Sequence, residues 1–517
     1  MGIVAVIDFG AQYTQLIARR VREQNVYSEI FPPTVTAKEL AGVQAIIMSG
    51  SRSSVYEKES PQLDTKILEL DVPILGICYG LQVLVSNAGG KIVDGHGEYG
   101  LAEIYKEDTI NDSPLLRNLE GSRQIWMSHG DEIQNLGNQY EVIAWSSNNA
   151  IAAIQHRHNK PFYGVQFHPE VVHSLTVGKT IFRNFLFEIA GCSPNWTTTN
   201  FISQSIEMIQ ETVGSKGKVI TGISGGVDSA VVGTLLNRAI GDRSKCVFID
   251  NGLLRKNEAD KIMESMKILK LNCKKYSHAY KFWKALENIT EPEEKRKIIG
   301  KEFIESFESI VNSPEREYQD CDFLAQGTIY PDVIESGGTG GGRAAIIKSH
   351  HNVGGLPPNI RFKSLIEPLR SLFKDEVRQI GKELELPESI LNRRPFPGPG
   401  LAVRIIGEVT YERLRILREA DEIFLDYIEK EPADIWQAFA VLIPVVQTVG
   451  VMGDERTYDN LLALRSVSSE DGMTADYSHL PHSTLSAVST KIINSVRGIN
   501  RVVYDITSKP PGTIEWI

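Results

Sequence analysis

The chain has 517 residues, more than one hydrophobic core usually organises, which points to roughly three domains. Charged residues make up 23% and hydrophobic ones 42%, and 55 basic against 65 acidic side chains leave a net charge of -10, so nothing recommends nucleic acid as a partner. The five cysteines (Cys78, Cys192, Cys246, Cys273, Cys321) are scattered and form no C-x-x-C pair, which argues against a disulfide framework or a zinc site and for a reducing cytosol.

In chain order, the first strand pattern is IVAVIDFG from Ile3, with no basic segment, apolar core and cleavage site ahead of it. Position 6 is Val, where an N-myristoylation motif wants Ser or Thr. From Ile3 to about Ile189, β-branched runs (QAIIMSG, VPILGIC, FYGVQFHP) alternate with helical patterns such as TQLIARRVREQ. That alternation predicts a mostly parallel, doubly wound sheet. The polar segment GCSPNWTTTN, 191–200, reads as a linker. A second alternating unit follows: KVITGIS, the helix pattern DSAVVGTLLNRAI, then KCVFIDNG. Past RRPFPGPGLAVR, 393–404, helix patterns mix with strands, and the longest uncharged apolar stretch, AFAVLIPVV at 438–446, is too short to span a bilayer. The expected fold class is α/β, with two doubly wound domains of mostly parallel sheet at 1–192 and 193–392 and a smaller α+β domain at 393–517.

The stretch GICYG, Gly76 to Gly80, sits between the strand pattern VPIL and the helical spacing of Leu81, Leu84, Val85 and Ala88. G-x-nucleophile-x-G between strand and helix is the nucleophile elbow, and a thiol at a helix N-terminus is biased toward thiolate. Taken alone, Cys78 reads first as a buried structural cysteine, the commoner fate of a lone thiol. FHPE, 167–170, closes another strand, and its His168 and Glu170, two apart, would point to one face as base and orienting carboxylate.

SGGVDS, Ser224 to Ser229, follows KVITGI and opens a helix. Gly225 and Gly226 let backbone N–H groups, with that of Val227, approach phosphate oxygens, Ser224 and Ser229 offer hydroxyls, and Asp228 can hold Mg²⁺. No Lys completes a Walker pattern, so γ-phosphate transfer is not expected. The end of the next strand, FIDNGLLR, offers Asp250 near a nucleoside and Arg255 near a phosphate. In AQGTIYPDVIES, Gln326 lies ahead of Asp332 and Glu335, whose spacing of three fits either a Mg²⁺-pyrophosphate site or solvated surface charge. GGTGGG, 337–342, reads as a lid or as a linker. In KSHHNVGG the adjacent His350 and His351 diverge on any regular element, leaving Lys348 as the candidate phosphate contact. EPEEKRKIIGKEF, 291–303, has the pattern of an exposed charged helix.

GICYG with FHPE resembles the class I glutamine amidotransferases, which implies a Cys78–His168–Glu170 triad hydrolysing glutamine through a thioester. MSHGD (Ser128, His129) and Gln82 resemble that family's glutamine pocket, and the N–H groups of Ser51 and Tyr79 its oxyanion hole. This chain reads SGSR at 49–52 where the family usually has S-G-G-P, which would matter if that backbone needs positive φ. SGGVDS resembles the ATP pyrophosphatase loop. The ordered set GICYG, MSHGD, FHPE, SGGVDS, DNGLLR, QGTIYPDVIES, SHHNVGGLP, RRPFPGPGLAVR, VGVMGDERTY and DITSKPPGTIEW is similar to the family of glutamine-hydrolysing GMP synthetases. The resemblance implies glutamine, ATP and XMP as substrates, Mg²⁺ with ATP, a cytoplasmic homodimer formed by the C-terminal domain, and a lid at 291–303. It further implies XMP contacts from Arg255, Arg296, Gln447, Lys509, Ile514 and Glu515, with Pro510 and Pro511 stiffening the tail and Ile517 replacing a usual terminal acid. An NAD synthetase, another AMP-forming ligase, and a nucleotide-binding regulator are the competing readings.

Overall fold

The computed structural model describes residues 2–107, 113–119, 123–158, 160–314, 318–336, 362–431, 435–452, 455–469 and 474–517. They fall in two compact units, one running to Phe201 and the other from Ile202 onward. The first is built on a nine-stranded sheet of β1 (Val4–Ile7), β2 (Ser28–Phe31), β3 (Ala45–Met48), β4 (Ile74–Ile77), β5 (Lys91–Lys106), β6 (Gln124–Asn135), β7 (Tyr140–Ser146), β8 (Ile151–His156) and β9 (Phe162–Val165). Their order is β2-β1-β3-β4-β9-β8-β7-β5-β6. The stretch β2 to β9 is parallel, and antiparallel pairing begins at β8. β1, β3 and β4 are buried along their whole length, as strands covered on both faces must be, so their sequences read as continuous apolar runs instead of alternating ones. The predicted linker is held to this unit: Trp196 N–H donates to the Asn25 carbonyl at 2.8 Å, and its ring lies 4.6 Å from that of Tyr27.

In the second unit, β10 (Val219–Ile223), β11 (Ser244–Asp250), β12 (Cys273–Ser277), β13 (Phe323–Ala325) and β14 (Ser364–Ile366) form a parallel sheet of order β12-β11-β10-β13-β14. The order reverses beside β10, the place where an open parallel sheet leaves a crevice at its carboxyl edge. A further sheet pairs β15 (Gln437–Met452) with β16 (Glu455–Ser468) antiparallel, adding β17 (Asp476–Tyr477) and the parallel β18 (Ile499–Tyr504). One buried cluster joins Val247 and Leu253 to Leu401, Leu442 and Ile492, so the phosphate-loop sheet and the C-terminal elements share a core. Among the described residues, no helix is long and apolar enough to cross a membrane. The architecture is the expected α/β one followed by a smaller α+β portion, but only the second unit's five-stranded sheet is wholly parallel: the first sheet, expected to be mostly parallel, is parallel from β2 to β9 and antiparallel from there to β6.

Candidate active sites

β4 ends at Ile77, and Cys78, with its backbone at φ 52° and ψ -104°, is the single residue between it and the helix Tyr79–Asn87. Positive φ is costly for a residue with a side chain and persists only where the surroundings impose it. Here the flanking glycines permit the tight turn and main-chain bonds hold it. A Cβ on Gly76 would lie 2.5 Å from the Gly80 carbonyl carbon, and one on Gly80 would lie 2.5 Å from the Met48 carbonyl oxygen. The turn is pinned by Cys78 N–H donating to Val165 (2.8 Å) and Gly80 N–H donating to Ser49 (3.0 Å).

His168 and Glu170 follow β9, both buried, and His168 Nδ1 donates to Glu170 Oε1 at 2.7 Å. Main-chain bonds fix both residues: His168 N–H donates to Trp126 and Arg20 Nε donates to the Glu170 carbonyl, each at 2.9 Å. Burial alone would push the imidazole pKa down, but the Glu170 carboxylate and the Cys78 thiol hold it well above its ordinary value. An imidazolium is therefore favoured next to the thiol, the condition under which cysteine is nucleophilic. A Cβ on Gly50 would sit 3.3 Å from His168 Cε1 and 3.8 Å from Cys78 Cβ, so the turn after β3 packs directly on both groups.

Neither Gly50 nor Ser51 adopts positive φ, so the SGSR departure carries no left-handed backbone, and Ser51 Oγ accepts from Ser53 N–H at 3.2 Å. Tyr79 stands in the first helical turn, where N–H groups lack intrahelical partners. Gln82 is buried in the same helix. Ser128 and His129 lie on β6, and the Ser128 carbonyl is 3.8 Å from Cys78 Sγ. His129 Nδ1 bonds the Asp131 carbonyl at 2.8 Å, and its Nε2 is buried without a partner. One polar neighbour, Gln166, escaped sequence reasoning, and Asp131, the last residue of MSHGD, gains a role that its motif did not specify. Gln166 Nε2 approaches Cys78 Sγ at 3.6 Å, and Asp131 accepts from Ser54 (2.9 Å) and Tyr56 (3.0 Å), tying the loop after Ser51 to β6. Gln166 was discoverable, since it extends the two-residue alternation of His168 and Glu170 backwards.

In the second unit the phosphate loop leaves β10, with Gly225 at φ 79° and the helix Val227–Ile240 opening behind Gly226. Only glycine fits the first position, because a Cβ there would lie 2.4 Å from Ile262 Cδ1. Ser229 Oγ accepts from Ser224 N–H (3.2 Å) and donates to the Gly226 carbonyl (3.1 Å), and Gly226 N–H donates to Ser224 Oγ (3.3 Å), so the two hydroxyls brace the loop from within. Asp228 takes an ion pair from Lys374 on one carboxylate oxygen and leaves the other buried without a partner. Lys374, 146 residues away, had no local signature. β11 is the parallel neighbour of β10, and its final residue Asp250 accepts from Gly252 N–H at 3.0 Å. Gln326 N–H donates to Ile366 at 3.0 Å, and a Cβ on the next residue, Gly327, would lie 3.3 Å from Asp228.

Arg255 donates to Asp421 (2.8 Å) and to the Ala438 carbonyl (3.1 Å). Arg296, on the helix Pro292–Val311, pairs with Glu293 and donates to the Ile517 carbonyl at 2.5 Å. Glu515 accepts from Arg404 Nη2 (2.8 Å) and Gln437 Nε2 (2.9 Å), and the Ile514 carbonyl accepts from Arg465 Nε (2.8 Å). Arg404 and Arg465 are both fully buried, and sequence reasoning passed over them. Lys509 exchanges main-chain bonds with Ala475 (2.7 and 3.0 Å), while Gln447 is exposed beside a bulge in β15. The structure thus gathers Arg296, Ile514 and Glu515 at one tail; it does not bring Gln447 into those bonds. Asp332 Oδ2 accepts from Ile329 N–H at 3.0 Å, at the start of the helix Tyr330–Ser336. The side chain of Glu335, with Lys348, His350, His351 and the run 337–342, lies outside the described residues. No group of three or more His, Cys, Asp or Glu able to hold a metal occurs among the described residues.

Residues 5–189 match the family model of the class-I glutamine amidotransferases, residues 198–299 that of NAD synthase, and residues 427–516 that of the GMP synthase C terminal domain. The glutamine-hydrolysing GMP synthase of Synechocystis sp. is 51% identical over 526 residues, covering 99% of this chain and 95% of that one. Its counterpart from Chlorobaculum tepidum is 52% identical, with 99% and 98% covered, and that from Chlorobium chlorochromatii is 52% identical with 100% of both covered.

Proposed function

The chain belongs to the glutamine-hydrolysing GMP synthases, and from that premise we propose how its residues divide the reaction. It is an ATP-dependent carbon–nitrogen ligase: glutamine hydrolysis supplies ammonia, ATP adenylates the C2 oxygen of XMP with loss of pyrophosphate, and ammonia displaces AMP to give GMP. The observation that carries the first half is the Cys78–His168–Glu170 constellation, built as nucleophile, base and orienting carboxylate.

In this reading Cys78 attacks the glutamine amide, His168 passes a proton to the departing ammonia, and the N–H groups of Ser51 and Tyr79 meet the oxyanion. Gln82, Ser128 and His129 line the glutamine. Ser224, Gly225, Gly226, Val227, Asp228 and Ser229 hold the ATP phosphates, with Asp250 and Gln326 toward the nucleoside. The unpartnered oxygen of Asp228 fits Mg²⁺, which prefers one or two carboxylates and completes its shell with phosphate and water. Bound there, Mg²⁺ would supply positive charge to the pyrophosphate leaving group. XMP is assigned to Arg255, Arg296, Gln447, Lys509, Ile514 and Glu515, and pyrophosphate to Asp332, Glu335 and Lys348. We assign glutamine hydrolysis to 1–192, adenylation to 193–392, and XMP binding and dimerisation to 393–517.

A homodimer is supported by an apolar sheet face in water: Val445, Val449 and Val451 on β15 and Tyr458 on β16 are each about half exposed or more, with Val449 directly opposite Tyr458. A cytoplasmic home is supported by five free cysteines. The test is XMP with ATP and Mg²⁺, given glutamine or ammonium, following AMP, pyrophosphate and GMP together. GMP and pyrophosphate in equal amounts from both donors is the expected result. GMP from ammonium alone would locate a fault in the amidotransferase half, and no GMP from either would overturn the reading.

A further inference from the structure

Lys295 is fully buried in the helix Pro292–Val311, where long cations are rarely found. Its ammonium donates to two main-chain carbonyls, Ala402 at 3.2 Å and Ile405 at 2.8 Å. Those carbonyls lie at the end of the 3₁₀ turn Gly400–Arg404, where unpaired carbonyl dipoles gather partial negative charge. Burial, with the Arg413 charge acting in the same direction, pushes the amine down to about 8. A buried cation held by dipoles alone is a poor way to gain stability, since an apolar side chain of that volume would avoid the desolvation. What it supplies is position. Between the two bonded carbonyls stands Arg404, which carries Glu515, and the helix residue beside Lys295 is Arg296, which holds the Ile517 carbonyl.

We propose that Lys295 is a positioning residue for the acceptor nucleotide: it fixes the helix Pro292–Val311 to the turn Gly400–Arg404, so that Arg296 and Glu515 are presented in one geometry. This rests on reading Arg296 and Glu515 as XMP contacts. Lys295 is fully buried with its ammonium on two main-chain carbonyls, so its removal acts through the two groups that it aligns.

The experiment is ammonium-driven GMP formation by the full chain, comparing parent, Lys295→Met and Lys295→Arg. In the Met variant KM for XMP should rise about tenfold while KM for ATP stays within about twofold, and the Arg variant, which keeps the charge and the donors, should recover most of the loss. A folded Met variant whose KM for XMP matches the parent, or whose two KM values rise together as general loosening would make them, overturns the proposal. Should Lys295→Met not fold, Lys295→Gln, which keeps a donor and discards the charge, is read by the same split. A parent that forms no GMP from XMP overturns the function reading and this inference with it, whereas a productive parent equalled by its variant overturns the inference alone.

Discussion

At the scale of single residues the proposed glutaminase chemistry concentrates in Cys78 and in the imidazole of His168. Cys78→Ala should cut glutamine-supported GMP formation by about a thousandfold or more while ammonium-supported synthesis persists, because only the nitrogen supply needs the thiol. Equal loss with both donors would refute the division of labour. His168 offers a signed test. Its folded pKa lies above the unfolded value of about 6.5, so the stability that its imidazolium contributes is complete below that value and is lost as pH rises through the folded pKa. Glu170→Gln removes the main raising influence and leaves burial to lower the pKa. The imidazolium should then titrate at lower pH, which NMR of the ring protons would detect. The variant's deficit in melting temperature should be larger at pH 6 than at higher pH, where the parent's imidazolium also disappears.

Among the elements, the strand–turn–helix units at Cys78 and Ser224 are determined by backbone clearance. Gly80→Ala would drive a Cβ to 2.5 Å from a main-chain oxygen and should destabilise the amidotransferase unit by about 1–3 kcal/mol, measured as a lower urea midpoint. Gly300, inside the helix Pro292–Val311, has nothing within 4 Å of its would-be Cβ. Gly300→Ala should therefore stabilise by about 0.5–1 kcal/mol. Opposite signs at two glycines would separate the clearance argument from a general intolerance of substitution. These units were legible because each constraint acts within a few residues. The glycine spacing, the preceding apolar run and the following helical period all fall inside one short window.

At the scale of the whole molecule, two activities share one chain and ammonia is easily protonated and lost in water. The glutaminase should accordingly stay near silent until XMP and ATP are both present, and equal rates of glutamate release with and without them would refute that coupling. The exposed β15 and β16 face belongs to this scale as well. Val451→Asp should convert a dimer to a monomer in sedimentation, since a charge buried within an apolar contact is desolvated without a partner. A parent that already sediments as a monomer would remove the homodimer from the account.

The sequence by itself located the two reactive loops, because a thiol elbow and a phosphate loop are each written in five or six consecutive residues and the alternation of His168 with Glu170 follows from strand geometry, while the reaction types came with the family resemblance that those motifs carry. It also determined the α/β class through the repeated change between short apolar runs and helical periods. Only the tertiary structure decided which distant groups complete the sites. Gln166 reaches Cys78 from 88 positions away, Lys374 reaches Asp228 from 146, and Arg404 reaches Glu515 from 111. Such pairs leave no periodic trace, because their partners are chosen by the packing of separate elements and not by spacing along the chain. The same holds for Lys295, which reads in EEKRK as one more solvated charge and becomes a buried donor only when the turn Gly400–Arg404 folds against it.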